Sequence, residues 1–329
     1  MQLLIFFIAV LLCMLLTPIA RVTALRLNII DSPNTKLKTH KAPVPYLGGV
    51  AIFAAIGISM ALFMVDSNIF LNSQQRGLLF STLIILVVGL IDDIKGIRPV
   101  IKLSLQLFAA YIAWFHGISF MLFDQWYLNM AITLIWIAAM SNAINLIDIM
   151  DGLAAGVAGI CALFVALLLH LSGDLFSSTL MFVLAGSCLA FLIFNFKPAR
   201  IYMGDTGSLL LGFLLACTVA QWASGQQSGQ HLIVPILILG VPLFELFFVS
   251  ILRMKAGKSP LMGSQDHFAL RLIRMGFSVK RTVLLTYACS VAFGAIAFLA
   301  LFFHRFTYVL VALTLTVVFF LARRLSQVK

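Results

Sequence analysis

Four polar clusters interrupt an otherwise apolar chain, and each holds residue types that can do chemistry. Asp92 and Asp93 stand side by side at the end of an apolar run, with Lys95 and Arg98 close behind. Adjacent carboxylates repel unless a cation or a proton is shared, which points to metal or proton chemistry. The plainer alternative is a solvated pair balanced by the two cations. In the second cluster Asn142, Asn145, Asp148 and Asp151 recur every three residues, and Gly152 follows. On a regular helix that spacing drifts around the axis until Asn142 lies opposite Asp151. Either the helix is interrupted near Asp151 and Gly152, or the four polar residues serve two tasks.

In the third cluster Asn195, Lys197, Arg200 and Tyr202 lead into Gly204-Asp205-Thr206-Gly207-Ser208. Such a run starts a helix, and a helix N-terminus offers free N–H groups to an anion. Capping alone accounts for Asp205 or Ser208. It does not account for an Asn, two cations and a Tyr in the same short loop. The fourth cluster spans residues 253–281, with seven Lys or Arg, Asp266 and His267. A basic loop resting on anionic lipid explains those cations equally well. Gly257-Lys258-Ser259 is no Walker A loop, because position 252 is Leu rather than Gly.

The elements that must hold these clusters are membrane helices. Of the 329 residues, 62% are hydrophobic and 10% charged, against roughly 25% charged in a soluble domain. The mean hydropathy is +1.11. Continuous apolar runs exclude a membrane β-barrel, whose strands alternate. The expected fold is therefore all-α, a polytopic integral membrane protein with one transmembrane domain over residues 1–329. Eleven stretches are expected to span, near residues 2–20, 47–65, 77–91, 100–122, 127–147, 153–171, 177–194, 207–223, 232–252, 282–303 and 307–322.

With connections alternating between the two faces, 20 of the 22 Lys and Arg fall on one side, leaving Arg76 and Arg305 on the other. The positive-inside rule makes the crowded side cytoplasmic, the N-terminus external and the C-terminus cytoplasmic. The net charge of +11 is then a product of topology, and no nucleic-acid partner is expected. No Lys or Arg precedes the first stretch, so it is expected to remain as a helix rather than act as a signal peptide. The five scattered cysteines offer neither a disulfide frame nor a metal site.

Carboxylates, cations and glycine turns on one membrane face suit a phosphorylated substrate with Mg²⁺, or Mn²⁺ in its place. Mg²⁺ takes one or two protein carboxylates and completes its shell with phosphate and water. The remaining Asp residues are then available for base, sugar or nucleobase contacts. Neither a Gly-x-Ser-x-Gly elbow nor a His-Glu-x-x-His pair is present, so serine-hydrolase and zinc-protease chemistry lack support. A transporter would keep its ionisable groups near the bilayer midplane. Here they gather at helix ends, which favours chemistry at one face over passage through it.

The stretches HKAPVPYLGG (40–49), GLIDDIKGIRPVIKL (89–103), NAINLIDIMDGLAAG (142–156) and FNFKPARIYMGDTGSLLLG (194–212) together resemble the polyprenyl-phosphate N-acetylhexosamine-1-phosphate transferases. This is glycosyltransferase family 4, and the layout is similar to its undecaprenyl-phosphate GlcNAc-1-phosphate branch. The resemblance implies transfer of a sugar phosphate from a UDP-sugar, with UDP-GlcNAc the leading donor, to a polyprenyl phosphate. UMP would be released at the cytoplasmic face of a bacterial inner membrane. It further implies that Asp92, Asp93 and Asp205 are catalytic and serve Mg²⁺. Asp205 would be the principal ligand, and Asp92 would accept a proton from the lipid phosphate. Asn145, Asp148, Asp151, Gly152, Asn195 and Tyr202 would surround the uridine diphosphate, and Lys41 and Lys102 would face phosphates. The expected partners are the two substrates and the lipid bilayer, with a homodimer allowed for.

The pattern departs from the family in the loop 253–281. A His-x-His-His row followed by a basic residue is reduced here to Asp266-His267-Phe268-Ala269-Leu270-Arg271. Arg253, His267 and Arg271 are left to hold the sugar or its diphosphate. Glu245 stands where the family more often has Asp. Both departures bear on the donor: another UDP-HexNAc stays open, and UDP-MurNAc-pentapeptide is disfavoured by the missing histidines. From a different class, a transporter or flippase of an anionic lipid is disfavoured by the one-sided Asp clusters.

Overall fold

The computed structural model describes residues 1–31, 43–225, 232–259 and 265–328. Helices follow the apolar stretches in order: α1 (Gln2–Arg26), α2 (Gly48–Asp66), α3 (Ser73–Lys95), α4 (Pro99–Phe115), α5 (Trp126–Ile147), α6 (Leu153–Leu171) and α7 (Leu175–Asn195). They continue with α8 (Gly204–Ser224), α9 (Ile233–Ile238), α10 (Gly240–Lys255), α11 (Phe268–Arg274), α12 (Val279–Phe302) and α13 (Thr307–Ser326). Between α1 and α2, β1 (Ile30–Asp31) pairs antiparallel with β2 (Val44–Pro45), Ile30 opposite Pro45. The protein is thus all-α and polytopic.

Among the described residues, nine helices are long and apolar enough to cross a bilayer, and α4 is shorter at 17 residues. The stretch expected as one helix near 232–252 is instead broken into α9 and α10. Pro242 accounts for the break. It has no N–H for the Ile238 carbonyl, and its ring crowds that carbonyl, so α9 stops at Ile238. Pro242 then falls in the first turn of α10, where proline is tolerated.

α8 is the central helix, with almost every residue buried between α3 and α5 and with α2 across its start. Glycine permits the approach. A Cβ on Gly49 would lie 2.2 Å from the Gly207 nitrogen, and one on Gly89 2.5 Å from the Thr206 Cα. α2 and α3 therefore press directly on the first turn of α8, as small residues allow between membrane helices. The outer helices expose Leu3, Phe7 and Leu11 on α1 and Val317, Phe319 and Phe320 on α13. Such a surface needs hydrocarbon around it, and the closed backbone of a helix suits that environment.

Candidate active site

The site is built around the start of α8. That helix begins at Gly204, whose φ of 69° lies in the left-handed region, and Met203 before it provides no side-chain cap. Neither Asp205 nor Ser208 caps it, as the sequence suggested; the cap comes from α3. Asp93 accepts the Asp205 N–H at 2.7 Å, the Thr206 N–H at 3.0 Å and the Thr206 hydroxyl at 2.6 Å. A carboxylate in that position satisfies orphan donors and faces the positive end of the helix dipole. A Cβ at position 204 would come within 2.4 Å of the same carboxylate. Glycine there serves both the backbone and the contact.

With its backbone held by Asp93, Asp205 keeps its carboxylate for side chains. Lys102 of α4 forms an ion pair with it. Asn145 of α5 donates to Asp205 Oδ1 at 2.7 Å and to Ser208 Oγ at 2.9 Å. Lys102 Nζ also lies 2.7 Å from Asp92 Oδ2, while the other Asp92 oxygen accepts the Ile97 N–H at 2.6 Å. One cation therefore bridges two carboxylates. From the other side the segment preceding α8 is strapped to the start of α2. The Gly48 and Gly49 N–H groups donate to the carbonyls of Tyr202 and Met203, and the Tyr202 N–H donates to that of Pro45.

The row of four polar residues is resolved by the end of α5 at Ile147. Asn142 lies inside the helix and donates to Gln106 of α4 at 2.6 Å, whereas Asn145 serves Asp205. Asp148 and Asp151 belong to the turn that follows. Asp151 accepts the Ala199 N–H at 3.1 Å and lies 3.6 Å from Lys197 Nζ. Gly152, at φ 80°, donates its N–H to Asn195 Oδ1, and Asn195 Nδ2 donates to the Ile201 carbonyl. The second and third clusters are thereby stitched into one wall.

Burial, with the charges of Asp205, Asp93 and Asp151, pushes the Asp148 carboxyl up to about 8. Between the ordinary value of 3.8 and about 8, the folded protein holds this proton and the unfolded chain does not. This group's contribution to stability therefore falls as pH rises through that window and levels off above it. The melting temperature between pH 6 and pH 9 is expected to fall less steeply in Asp148→Asn than in the parent. Parallel curves would mean that Asp148 is already ionised at neutral pH. The Tyr46 and Tyr202 rings lie 6.3 Å apart beside this wall, and burial holds both phenols above their ordinary range.

Comparison with known proteins gives the family. A family model described as glycosyl transferase family 4 matches residues 76–223. A probable undecaprenyl-phosphate N-acetylglucosaminyl 1-phosphate transferase of Bacillus subtilis is 31% identical over 299 residues, covering 88% of this chain and 82% of the relative. The chain belongs to glycosyl transferase family 4. A decaprenyl-phosphate N-acetylglucosaminephosphotransferase of Mycolicibacterium smegmatis is 32% identical across 84% of this family 4 chain and 76% of the relative. An undecaprenyl-phosphate alpha-N-acetylglucosaminyl 1-phosphate transferase of Yersinia pestis is 25% identical across 83% and 77%. The matched residues contain Asp92, Asp93, Lys102, Asn145, Asp148, Asp151, Gly152, Asn195, Tyr202 and Asp205.

Arg253, His267 and Arg271 of this family 4 enzyme belong to a second cluster, centred on Glu245. His267 Nδ1 and Glu245 Oε1 lie 2.6 Å apart, and the Phe268 N–H donates to Glu245 Oε2 at 3.2 Å. Arg253 is buried within electrostatic reach of Glu245 and Asp266, and the buried Arg271 pairs with Asp266 at 3.1 Å. Lys41 lies outside the described residues.

Two contributors were missed by sequence reasoning. Thr206 adds the hydroxyl that completes the Asp93 cap. Tyr287 of α12 donates to the Gly152 carbonyl at 2.5 Å, with its ring against Gly156, where a Cβ would come within 2.0 Å. The only signal for Tyr287 was a hydroxyl inside an apolar membrane helix, where polar groups call for a partner. Tyr287→Phe would leave that carbonyl with the Gly156 N–H alone and loosen the Asp148–Asp151 turn. Steady-state kinetics should return a sugar-donor KM about five-fold higher with kcat within about two-fold.

Among the described residues, no three His, Cys, Asp or Glu side chains converge as a ready-made metal cage. The available donors are oxygens: the carboxylates of Asp205 and Asp92 and the amide oxygen of Asn145. A hard cation such as Mg²⁺ fits that set, since it needs few protein ligands and prefers oxygen. Asp93 differs from them in its partners: its oxygens hold the first turn of α8, whereas those of Asp92 and Asp205 accept from the Lys102 and Asn145 side chains and the Ile97 N–H.

Proposed function

We propose that this enzyme transfers GlcNAc-1-phosphate from UDP-GlcNAc to undecaprenyl or another polyprenyl phosphate. The reaction would release UMP at the cytoplasmic face of a bacterial inner membrane, with Mg²⁺ as cofactor and Mn²⁺ able to replace it. The observation that carries this reading is Lys102 held between Asp92 and Asp205 at the N-terminus of α8. The names borne by the relatives in Bacillus subtilis and Yersinia pestis support the same acceptor and the same transferred sugar phosphate.

In this reaction an oxygen of the lipid phosphate attacks the β-phosphorus of the UDP-sugar. The bond from that phosphorus to the bridging oxygen breaks, and UMP leaves with the bridging oxygen. The nucleophile is already anionic, so charge neutralisation matters more than strong base catalysis. Asp205, with Asp92 and Asn145, would hold the metal, which supplies positive charge to the diphosphate. Lys102 pairs with phosphate oxygens as charge moves onto the leaving group. Asp92 takes the proton of a monoanionic lipid phosphate. Asp93 serves through α8, keeping Asp205 in place. Asp148, neutral at pH 7, offers a proton to the nucleotide where a second carboxylate charge would repel it. Asp151, Gly152, Asn195 and Tyr202 form the rest of the nucleotide wall.

The test is UMP release by purified protein given Mg²⁺, a short polyprenyl phosphate and, in turn, a panel of UDP-sugars. UDP-GlcNAc is expected to be the most active. Preference for another UDP-HexNAc would move the donor assignment, and failure of every donor with folded protein would remove the reaction.

A further inference from the structure

We propose that Arg271 is a positioning residue, which ties the His267 segment to the last turn of α13, and that it does not touch the donor. This rests on the reading that the His267 segment serves the sugar-nucleotide. Sequence alone left Arg271 to bind the sugar or its diphosphate. The structure commits its guanidinium elsewhere. Nη1 donates to the carbonyls of Leu325, Ser326 and Val328, Nη2 to Asp266 Oδ1 at 3.1 Å, and Nε to the Asp266 carbonyl at 3.4 Å. The group also lies over the Phe248 ring of α10, 5.7 Å from its centroid. Arg271 is only 6% exposed. A guanidinium buried against helix-end carbonyls is already satisfied, and turning it toward a phosphate would give up those hydrogen bonds.

The arrangement explains how α13 is held. Its buried residues are Thr307 and Leu325, one at each end. Thr307 Oγ1 donates to the Ala300 carbonyl, and the Leu325 carbonyl belongs to Arg271. Between these anchors a cavity of about 770 Å³ separates α13 from α10, lined by Phe244, Phe247, Leu315 and Phe319. The last turn of α13 is thus joined to the body through Arg271. By the same link, residues 265–271 are pinned on two sides, by Glu245 of α10 at His267 and by α13 at Arg271. Loss of either pin frees His267 to move relative to the nucleotide wall.

A double-mutant cycle tests this on the full chain in detergent. Arg271→Ala removes the donor group, and deletion of residues 325–329 removes the carbonyl acceptors. Each change alone is expected to raise the KM for UDP-GlcNAc about ten-fold with kcat within about three-fold. Combined, they should do no more than either does alone, because they cut the same link. Arg271→Lys should fall with them, since an ammonium cannot span three carbonyls and Asp266 at once. Effects that multiply in the combined variant, or a deletion that leaves KM unchanged while Arg271→Ala raises it, would overturn the proposal and put Arg271 on the substrate. Melting temperatures of the same four proteins supply a readout independent of turnover. If the parent releases no UMP, the functional reading fails. In that event additive losses in melting temperature overturn the clamp as well, and non-additive losses leave it as a structural link without a donor role.

Discussion

Asp205→Asn is expected to lower turnover by about three orders of magnitude or more while the protein still inserts and folds. Two features of the site separate chemistry from folding here. The N–H of residue 205 donates to Asp93 whatever its side chain, so the α8 start survives the substitution. An asparagine also fills the same space beside Asn145 and Ser208. What is lost is the carboxylate that pairs with Lys102 and would face the metal. The variant should show an unchanged size-exclusion profile and a melting temperature close to the parent's, together with near-complete loss of UMP release. Turnover within ten-fold of the parent would take Asp205 out of the metal role.

Lys102→Ala should cost about two to three orders of magnitude in turnover, by a different route. The ammonium is shared by Asp92 and Asp205, and removing it leaves two carboxylates facing each other across the gap. Taking one partner from a largely buried ion pair is more damaging than its net contribution suggests, because the remaining charge loses compensation. The metal concentration needed for half-maximal rate should fall, since the vacated space favours a divalent cation, while kcat drops for want of the ammonium at the phosphates. Lys102→Arg should recover part of the rate, the charge being kept but the geometry altered. A variant whose metal requirement and kcat both match the parent would exclude Lys102 from the reacting centre.

The clusters themselves were legible in the sequence because polar residues are costly in membrane helices and therefore stand out. Asp92, Asp93, Asn145, Lys102 and Asp205 all meet at the start of α8, from four different helices. The division of labour within the Asp pair was not legible. Neighbouring residues on a helix point about 100° apart, and only the position of α8 decides that Asp93 caps while Asp92 meets Lys102. Tyr287 could not be linked to Gly152 across 135 residues of chain. Hydropathy merged α9 and α10 into one span, although Pro242 carried the sign of a break. Arg271 showed its charge in sequence but not its acceptors, which are backbone carbonyls and have no residue signature.

Sugar-phosphate transfer differs from ordinary glycosyl transfer in the bond that breaks, and the nucleotide product records the difference. The most direct measurement is therefore to incubate the purified enzyme with Mg²⁺, UDP-GlcNAc and a short polyprenyl phosphate, and to identify both products by mass. UMP and a lipid diphosphate carrying GlcNAc are expected, neither forming when the lipid phosphate is omitted. UDP with a lipid monophosphate sugar, or nucleotide release indifferent to the lipid, would contradict attack on the β-phosphorus.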